Sequence, residues 1–107
     1  MKLPNVISAL IEAQNKLDAD VYANCFTENA VVFDEGKTHK GRTAIRKWIN
    51  EANKKYHTIM KPKSLEQSGD IVVLSTEIAG TFPGSSIILQ YHFELENQLI
   101  RELKVIG

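Results

Sequence analysis

Hydrophobic residues recur at helical spacing in the first half of the chain and follow extended patterns in the second half. Spacings of three and four residues place apolar side chains on one face of a helix, whereas alternation places them on one face of a strand. The pattern predicts helices at residues 4–17, 19–26 and 43–57. Residues 30–34 are rich in β-branched and aromatic side chains, which favours a short strand between the second and third helices.

Extended segments follow one another from the third helix to the end of the chain. They cover residues 58–68, 71–82, 85–96 and 99–106, and residues 37–40 add a short extended piece earlier. Short turns join the long segments, so we expect neighbouring strands to be antiparallel, because a parallel pair needs a long crossover. Helices first and strands last predict an α+β fold in which three N-terminal helices pack on one face of an antiparallel sheet. A length of 107 residues predicts one domain, residues 1–107.

The last two strands have one strongly apolar face and one mixed face. We expect the helices to cover the apolar face, made by Ile87, Leu89, Tyr91, Phe93 and Leu95 with Leu99, Leu103 and Val105; Arg101 is the exception to its alternation. The mixed face carries Ile88, Gln90, His92, Ile100 and Ile106, and no remaining element can cover it. Such a face is solvated or paired with another subunit. We therefore expect a homodimer through the outer face of the sheet, the alternative being a monomer with scattered surface isoleucines.

Composition narrows the classes of partner. Thirteen Lys and Arg residues balance thirteen Asp and Glu residues, which argues against nucleic acid as a partner because phosphate binding needs an excess of positive charge. Cys25 is the single cysteine, so no intrachain disulfide can form. The apolar run from Val6 to Ile11 ends at Glu12 and is too short for a signal peptide or a membrane span. These features predict a cytoplasmic protein without a membrane partner.

Asp34 is the strongest candidate for chemistry. In the predicted strand it shares a face with Ala30 and Val32, so the strand delivers a carboxylate at the end of an apolar row. Desolvation of a carboxylate in an apolar pocket disfavours its charged form, which suits a general base. The alternative is structural: Asp34 caps the loop toward Gly36 or pairs with a nearby basic residue.

Aromatic residues offer candidate pocket walls. Trp48 and Tyr56 lie on the apolar face of the third helix, where they either pack in the core or contact a ligand. Phe82 precedes a Pro-Gly turn, where its ring can close a pocket mouth. The three histidines show no metal-ligand spacing and there is no Gly-rich phosphate loop, so we expect no metal and no cofactor.

Several motifs follow one another along the chain: the stretch from Phe26 to Gly36, then Gly41-Arg-Thr-Ala-Ile45, Trp48, Phe82-Pro-Gly84 and the terminal strands. Their order and spacing resemble those of the nuclear transport factor 2-like superfamily, and within it the SnoaL-like branch. The resemblance covers nearly the whole chain. It implies a cystatin-like cone in which a curved sheet and the helices enclose a central pocket. Members of the superfamily include isomerases, cyclases, epoxide hydrolases, dehydratases and non-catalytic binding domains.

The resemblance also implies roles for particular residues. Asp34 corresponds to the general-base aspartate of the ketosteroid isomerase branch. The two hydrogen-bond donors of that branch fall by spacing on Leu10 and Tyr91, and Leu10 cannot donate. Losing one such donor typically costs roughly two to three orders of magnitude in rate, which argues against steroid isomerase activity.

Two functions remain open. The first is an isomerase- or cyclase-type enzyme that uses Asp34 as base and Tyr91 as donor on a compact, apolar small molecule. The second is a non-catalytic domain that binds a small ligand or dimerises. For either we expect a pocket lined by Val32, Trp48, Tyr56, Phe82, Leu89 and Phe93 beside the Asp34 and Tyr91 pair.

Overall fold

The structure is a computed structural model that describes residues 1–107. It contains three helices and six strands. In chain order they are α1 (Asn5–Asn15), α2 (Ala19–Asn24), β1 (Phe26–Asp34), β2 (Lys37–Lys40), α3 (Arg42–Tyr56), β3 (Ile59–Ser68), β4 (Ile71–Ala79), β5 (Ile87–Glu96) and β6 (Leu99–Ile106). The α+β class and the three predicted helices are confirmed.

Local residue chemistry sets the limits of the helices. Asp18 caps α2 by accepting a hydrogen bond from the backbone N–H of Val21 at 3.1 Å, which satisfies one of the free donors at a helix start. Helix α2 ends two residues earlier than predicted, because Phe26 already belongs to β1. Helix α3 ends at Tyr56, because the left-handed backbone of the next residue, His57, stops the helical hydrogen bonding. Strand β1 is therefore nine residues long and carries Asp34 at its end.

The six strands form one sheet in the order β2-β1-β6-β5-β4-β3. The last four strands are an antiparallel meander, as predicted. The sheet as a whole is mixed, because β1 pairs with β6 in parallel. That pairing is possible since nearly all of the later chain, including α3, separates the two strands and supplies the crossover.

A β-bulge changes the predicted face of one residue. The pairing of β5 with β6 shifts between Glu94 and Leu95, so that Leu95 faces Ile100 while Glu94 faces Glu102. Arg101 is the extra residue that this shift leaves unpaired, which explains why it breaks the alternation. Ile100 is consequently turned inward and is fully buried, so its predicted place on the outer face was wrong.

The hydrophobic core lies between the three helices and the inner face of the sheet. Its largest fully buried members include Tyr22 from α2, Leu10 from α1, and Phe26, Leu74 and Phe93 from the sheet. These side chains fill the part of the cone nearest the helix α1–α2 pair. The open end lies where α3 meets the ends of β1, β4 and β5, and it is there that the polar candidate residues gather.

Candidate functional site

A cavity of about 470 Å³ opens between α3 and the inner face of the sheet. Ten of its seventeen lining residues are hydrophobic, so the cavity suits a mainly apolar molecule. The structure brings six of the eight predicted site residues to its wall: Asp34, Trp48, Tyr56, Phe82, Leu89 and Tyr91.

Val32 and Phe93 are not on that wall. Their side chains are 0% and 1% exposed and belong to the hydrophobic core, so the prediction that they line the cavity was wrong. Alternation along a strand correctly predicted that both side chains lie on the inner face of the sheet. That face, however, extends from the packed core to the open end of the cavity, and alternation does not say where along it a residue lies. Asp34 and Tyr91 are two residues further toward the open end of their strands, and only they reach the cavity. Phe93 supports Tyr91 from below, with ring centroids 6.0 Å apart.

Asp34 stands half-buried at the end of β1. Burial raises the pKa of its carboxyl above the ordinary value of 3.8, and the neighbouring Glu35 charge raises it further. The Trp48 indole and the His39 ring act in the opposite direction by favouring the carboxylate. These two rings stack with centroids 5.4 Å apart, so they form one support beside Asp34. Desolvation outweighs them, and the result is a carboxylate that binds a proton more readily than usual.

Tyr91 is nearly buried, with 9% of its surface exposed. Burial raises the pKa of its hydroxyl, and the nearby Asp34 charge raises it further. The phenol therefore keeps its proton at neutral pH and can donate a hydrogen bond to a developing negative charge. Asp34 and Tyr91 line one cavity, and the Asp34 charge contributes to the raised pKa of Tyr91.

Tyr22 of α2 is a neighbour that the sequence pattern treated only as part of an apolar helix face. It is 1% exposed and packs edge-on against Trp48, with ring centroids 6.2 Å apart. Burial raises the pKa of Tyr22, and the charges of Tyr91 and Asp34 add to the effect. The Asp34 charge thus acts on a second phenol besides that of Tyr91. The signal for it was the tyrosine itself, because a buried phenol usually keeps its polar end near other polar groups.

A second polar group lies where α1 meets the start of β3. The side-chain nitrogen of Gln14 lies within 3.0 Å of Asn53 Oδ1, the backbone oxygen of Thr58 and Thr58 Oγ1. Gln14 and Asn53 are 3% and 6% exposed, and Gln14 and Thr58 both line the cavity. Sequence reasoning missed this group because a single glutamine among apolar helix positions carries no pattern of its own.

Aromatic rings frame the mouth of the cavity. Tyr56 and Phe82 meet edge to face with centroids 5.9 Å apart, and the Lys55 ammonium lies 5.0 Å from the Tyr56 ring centroid. Gly80 makes this contact possible, since a side chain there would collide with the Tyr56 carbonyl oxygen. Phe82 itself follows the end of β4, which stops at Ala79 and is shorter than the predicted strand.

A charged recess of about 330 Å³ adjoins the apolar cavity and shares four lining residues with it: Asp34, Glu35, Trp48 and Glu51. Lys37, His39 and Lys47 line the recess together with two glutamates. Asp34 therefore borders an apolar space on one side and a charged space on the other. No group of three or more His, Cys, Asp or Glu side chains is placed to hold a metal ion. None of the three helices combines the length and the apolar character needed to cross a membrane.

Comparison with solved structures shows the same fold in several proteins. A proposed polyketide cyclase from Sinorhizobium meliloti shares 31% identity, with a TM-score of 0.92 over 96% of this chain and 94% of that one. A protein with a ketosteroid isomerase-like fold from Catenulispora acidiphila, solved with trimethylamine, has 15% identity and a TM-score of 0.89, covering 99% of this chain and 87% of the other.

An epoxide hydrolase/cyclase-like enzyme of pyran ring formation in the polyether salinomycin has 24% identity and a TM-score of 0.82, covering 94% of this chain and 86% of that one. No curated protein sequence matches the chain significantly. The family model of the SnoaL-like domain matches residues 7–103, which is nearly the whole chain. With the helices, the sheet and the match in agreement, the chain belongs to the SnoaL-like domain family.

Proposed function

We propose that this protein binds a compact, largely apolar carbonyl compound in the 470 Å³ cavity and acts on it as an isomerase- or cyclase-type acid–base enzyme. The observation that carries the proposal is the pairing of Asp34 and Tyr91 on one cavity wall. Asp34 has a carboxyl pKa raised by burial, and Tyr91 has a hydroxyl held in its protonated form. A base and a donor of this kind are what enolisation needs.

In the proposed reaction the Asp34 carboxylate removes a proton from the carbon next to the substrate carbonyl. The electron pair of the broken C–H bond moves to the carbonyl oxygen, and the Tyr91 hydroxyl donates a hydrogen bond to that developing oxyanion. In a β,γ-unsaturated substrate Asp34 then returns the proton to the γ-carbon and the double bond moves into conjugation, which gives isomerisation. Alternatively, the enolate carbon attacks a second carbonyl within the substrate, which closes a ring, and the alkoxide so formed takes the proton back from Asp34. The raised pKa of Asp34 reduces the free-energy gap for the first transfer.

The family comparison supports this class of chemistry. The Sinorhizobium meliloti protein, at 31% identity, is a proposed polyketide cyclase. Leu10 limits the proposal, because it is fully buried and brings no donor to the position that a second donor would occupy. This residue favours the second candidate, a domain that binds a small molecule without acting on it.

Hydrogen exchange of a simple ketone separates the two candidates. We expect wild-type protein to accelerate deuterium incorporation into the α-carbons of 2-tetralone in D₂O, followed by proton NMR. Asp34→Asn should remove the acceleration, and Tyr91→Phe should reduce it by roughly 10²–10³-fold if one oxyanion donor is lost. Asp20→Asn is the matched control, since that carboxylate is exposed on α2 and pairs with Arg46 away from the cavity. Saturable 2-tetralone binding without faster exchange would establish the binding domain instead.

We also propose that the protein forms a homodimer through the outer face of its sheet. On that face Ile71, Ile88 and Ile106 are 46%, 55% and 46% exposed, in neighbouring strands β4, β5 and β6. All three helices lie on the opposite face, so these side chains lose their water contacts only against another molecule. An isologous contact needs the same patch on both copies, and a stable one buries on the order of 1,200–2,000 Å² in total.

Sedimentation equilibrium at micromolar concentration tests the dimer. We expect wild-type protein to sediment as a dimer and Ile88→Lys to shift it toward monomer, because the substitution places a charge at the most exposed of these isoleucines. Val21→Lys is the matched control, because Val21 is an apolar residue of α2 that is 47% exposed and lies away from the outer face of the sheet, so this variant should leave the mass unchanged. A wild-type protein that remains monomeric at all accessible concentrations would exclude this interface.

A further inference from the structure

We propose that Gln14 sets the ligand specificity of the cavity, by accepting through its side-chain carbonyl a hydrogen bond from a neutral hydroxyl or N–H group of the bound molecule. This inference rests on the proposed small-molecule function and names the class of ligand more closely. The ligand is an apolar body that carries one hydrogen-bond donor in addition to the group that faces Asp34 and Tyr91.

The hydrogen bonds of Gln14 fix the orientation of its amide. The nitrogen Nε2 lies 3.0 Å from the backbone oxygen of Thr58, 2.8 Å from Thr58 Oγ1 and 3.0 Å from Asn53 Oδ1. A backbone carbonyl oxygen can only accept a hydrogen bond, so the atom that faces it must be the amide nitrogen. A flipped amide would place two oxygens against each other, and Oε1 is therefore held on the other side of the group.

The free oxygen belongs to the cavity. Gln14 is 97% enclosed and yet lines the cavity, so the little surface that it keeps faces that space. Its Nε2 accounts for all of its hydrogen bonds within the protein, and Oε1 receives none. Thr76 Oγ1 is the one side-chain oxygen or nitrogen that is both fully enclosed and without a hydrogen-bond partner. Gln14 Oε1 also has no partner, so it is not fully enclosed, and it reaches the cavity.

An acceptor in this position discriminates between ligands. A buried carbonyl without a donor costs about 1–3 kcal/mol, so a ligand that supplies a donor is favoured over one of equal shape that does not. The amide is neutral, and the charged groups of the cavity, Asp34, Glu35, Glu51 and Lys55, come from α3 and the end of β1 rather than from α1. A hydroxyl or N–H group therefore matches Gln14 better than an ammonium group.

A pair of probes that differ only in the donor tests this assignment. We would measure the Kd of 2-naphthol and of its methyl ether, 2-methoxynaphthalene, by fluorescence titration with wild-type, Gln14→Met, Asn15→Leu and Asp34→Asn proteins. Wild-type protein should prefer 2-naphthol by about tenfold, and Gln14→Met should bring the preference close to one. Asn15→Leu is the matched control. Asn15 also ties α1 to β3, through two hydrogen bonds with the Met60 backbone, but is not on the cavity wall.

The outcomes separate this inference from the proposed function. A preference that survives in Gln14→Met, or that disappears in Asp34→Asn, would overturn the role of Gln14 and leave the cavity as the binding site. Absence of saturable binding of either probe to wild-type protein would overturn the binding site and the role of Gln14 together.

If Gln14→Met does not fold, the same question can be answered by NMR of wild-type protein labelled with ¹³C at the glutamine side-chain carbonyls. The Gln14 signal should shift with 2-naphthol and not with 2-methoxynaphthalene, and an unmoved signal would reject the inference. The exposed Gln67, Gln90 and Gln98 provide internal controls in the same spectrum.

Discussion

Gly80→Ala tests how the mouth of the cavity is built. A Cβ atom at residue 80 would lie 2.5 Å from the Tyr56 carbonyl oxygen and 3.2 Å from two atoms of the Phe82 ring. The carbonyl belongs to the end of α3 and already accepts a hydrogen bond from Thr81 N–H at 2.7 Å. Because the closest atom is backbone, the end of α3 and the turn after β4 must move apart.

The expected cost combines two contributions. Overpacking costs about 1–3 kcal/mol, and weakening of the Thr81 hydrogen bond adds about 1 kcal/mol. The free energy of unfolding should therefore fall by about 2–4 kcal/mol, and Tm by roughly 10–20 °C for a chain of this size. Urea unfolding followed by circular dichroism measures the first value and a thermal scan the second.

Gly69→Ala is the matched control for Gly80→Ala. Gly69 has a φ of +59° and open space around it, so alanine there meets only backbone strain, worth about 1–2 kcal/mol. Gly80→Ala should be the more destabilising variant and should also weaken binding of 2-methoxynaphthalene, because the Tyr56–Phe82 contact shifts. A cost at residue 80 no larger than that at residue 69 would refute the steric reasoning.

Three further substitutions test the site and the core. Asp34→Asn should raise the free energy of unfolding at neutral pH. The pKa of Asp34 is raised above 3.8 in the folded protein, so the wild type loses stability as the pH rises from 3.8 through the folded-state pKa, and asparagine does not. The advantage of the variant should therefore disappear below pH 3.8. Urea unfolding of both proteins between pH 3 and 7 measures this, and a less stable variant at pH 7 would contradict it. Thr76→Val should stabilise the protein by about 1–2 kcal/mol because it removes a buried hydroxyl without a hydrogen-bond partner, and a loss would reveal a partner for that hydroxyl. Phe93→Ala should cost about 3–5 kcal/mol, since the ring is 1% exposed, and a change below 1 kcal/mol would show that the core closes without it.

Periodicity alone was enough to place most of the secondary structure. Helical spacing and alternation report which side of an element meets the core, and both are local properties of consecutive residues. The antiparallel meander also followed from local features, because the turns that join its strands are too short for any other arrangement. The pairing of β1 with β6 could not be predicted in this way, because the two strands are far apart in the sequence and no local pattern indicates that they are partners.

The candidate site divides in the same way. The sequence by itself placed Asp34 at the end of an apolar strand face and Tyr91 on the inner face of β5, because side chains alternate along a strand. How far along each face the packing extends is a tertiary property, and it buried Val32 and Phe93 while leaving Asp34 and Tyr91 at the cavity. The bulge that turned Ile100 inward also exists only through pairing with the neighbouring strand.

Gln14 and Tyr22 show most clearly what could not be predicted from the sequence. Each is one polar residue on an otherwise apolar helix face, and only the fold decides what its polar end meets. For Gln14 that is Thr58, forty-four residues away, and for Tyr22 it is the surroundings of Asp34 and Tyr91. Hydrophobic patterning determines which residues are enclosed, because burial depends on residue type. The hydrogen-bond partner of a buried polar side chain comes from a part of the chain that is distant in sequence. The tertiary structure alone therefore decides which partner it meets.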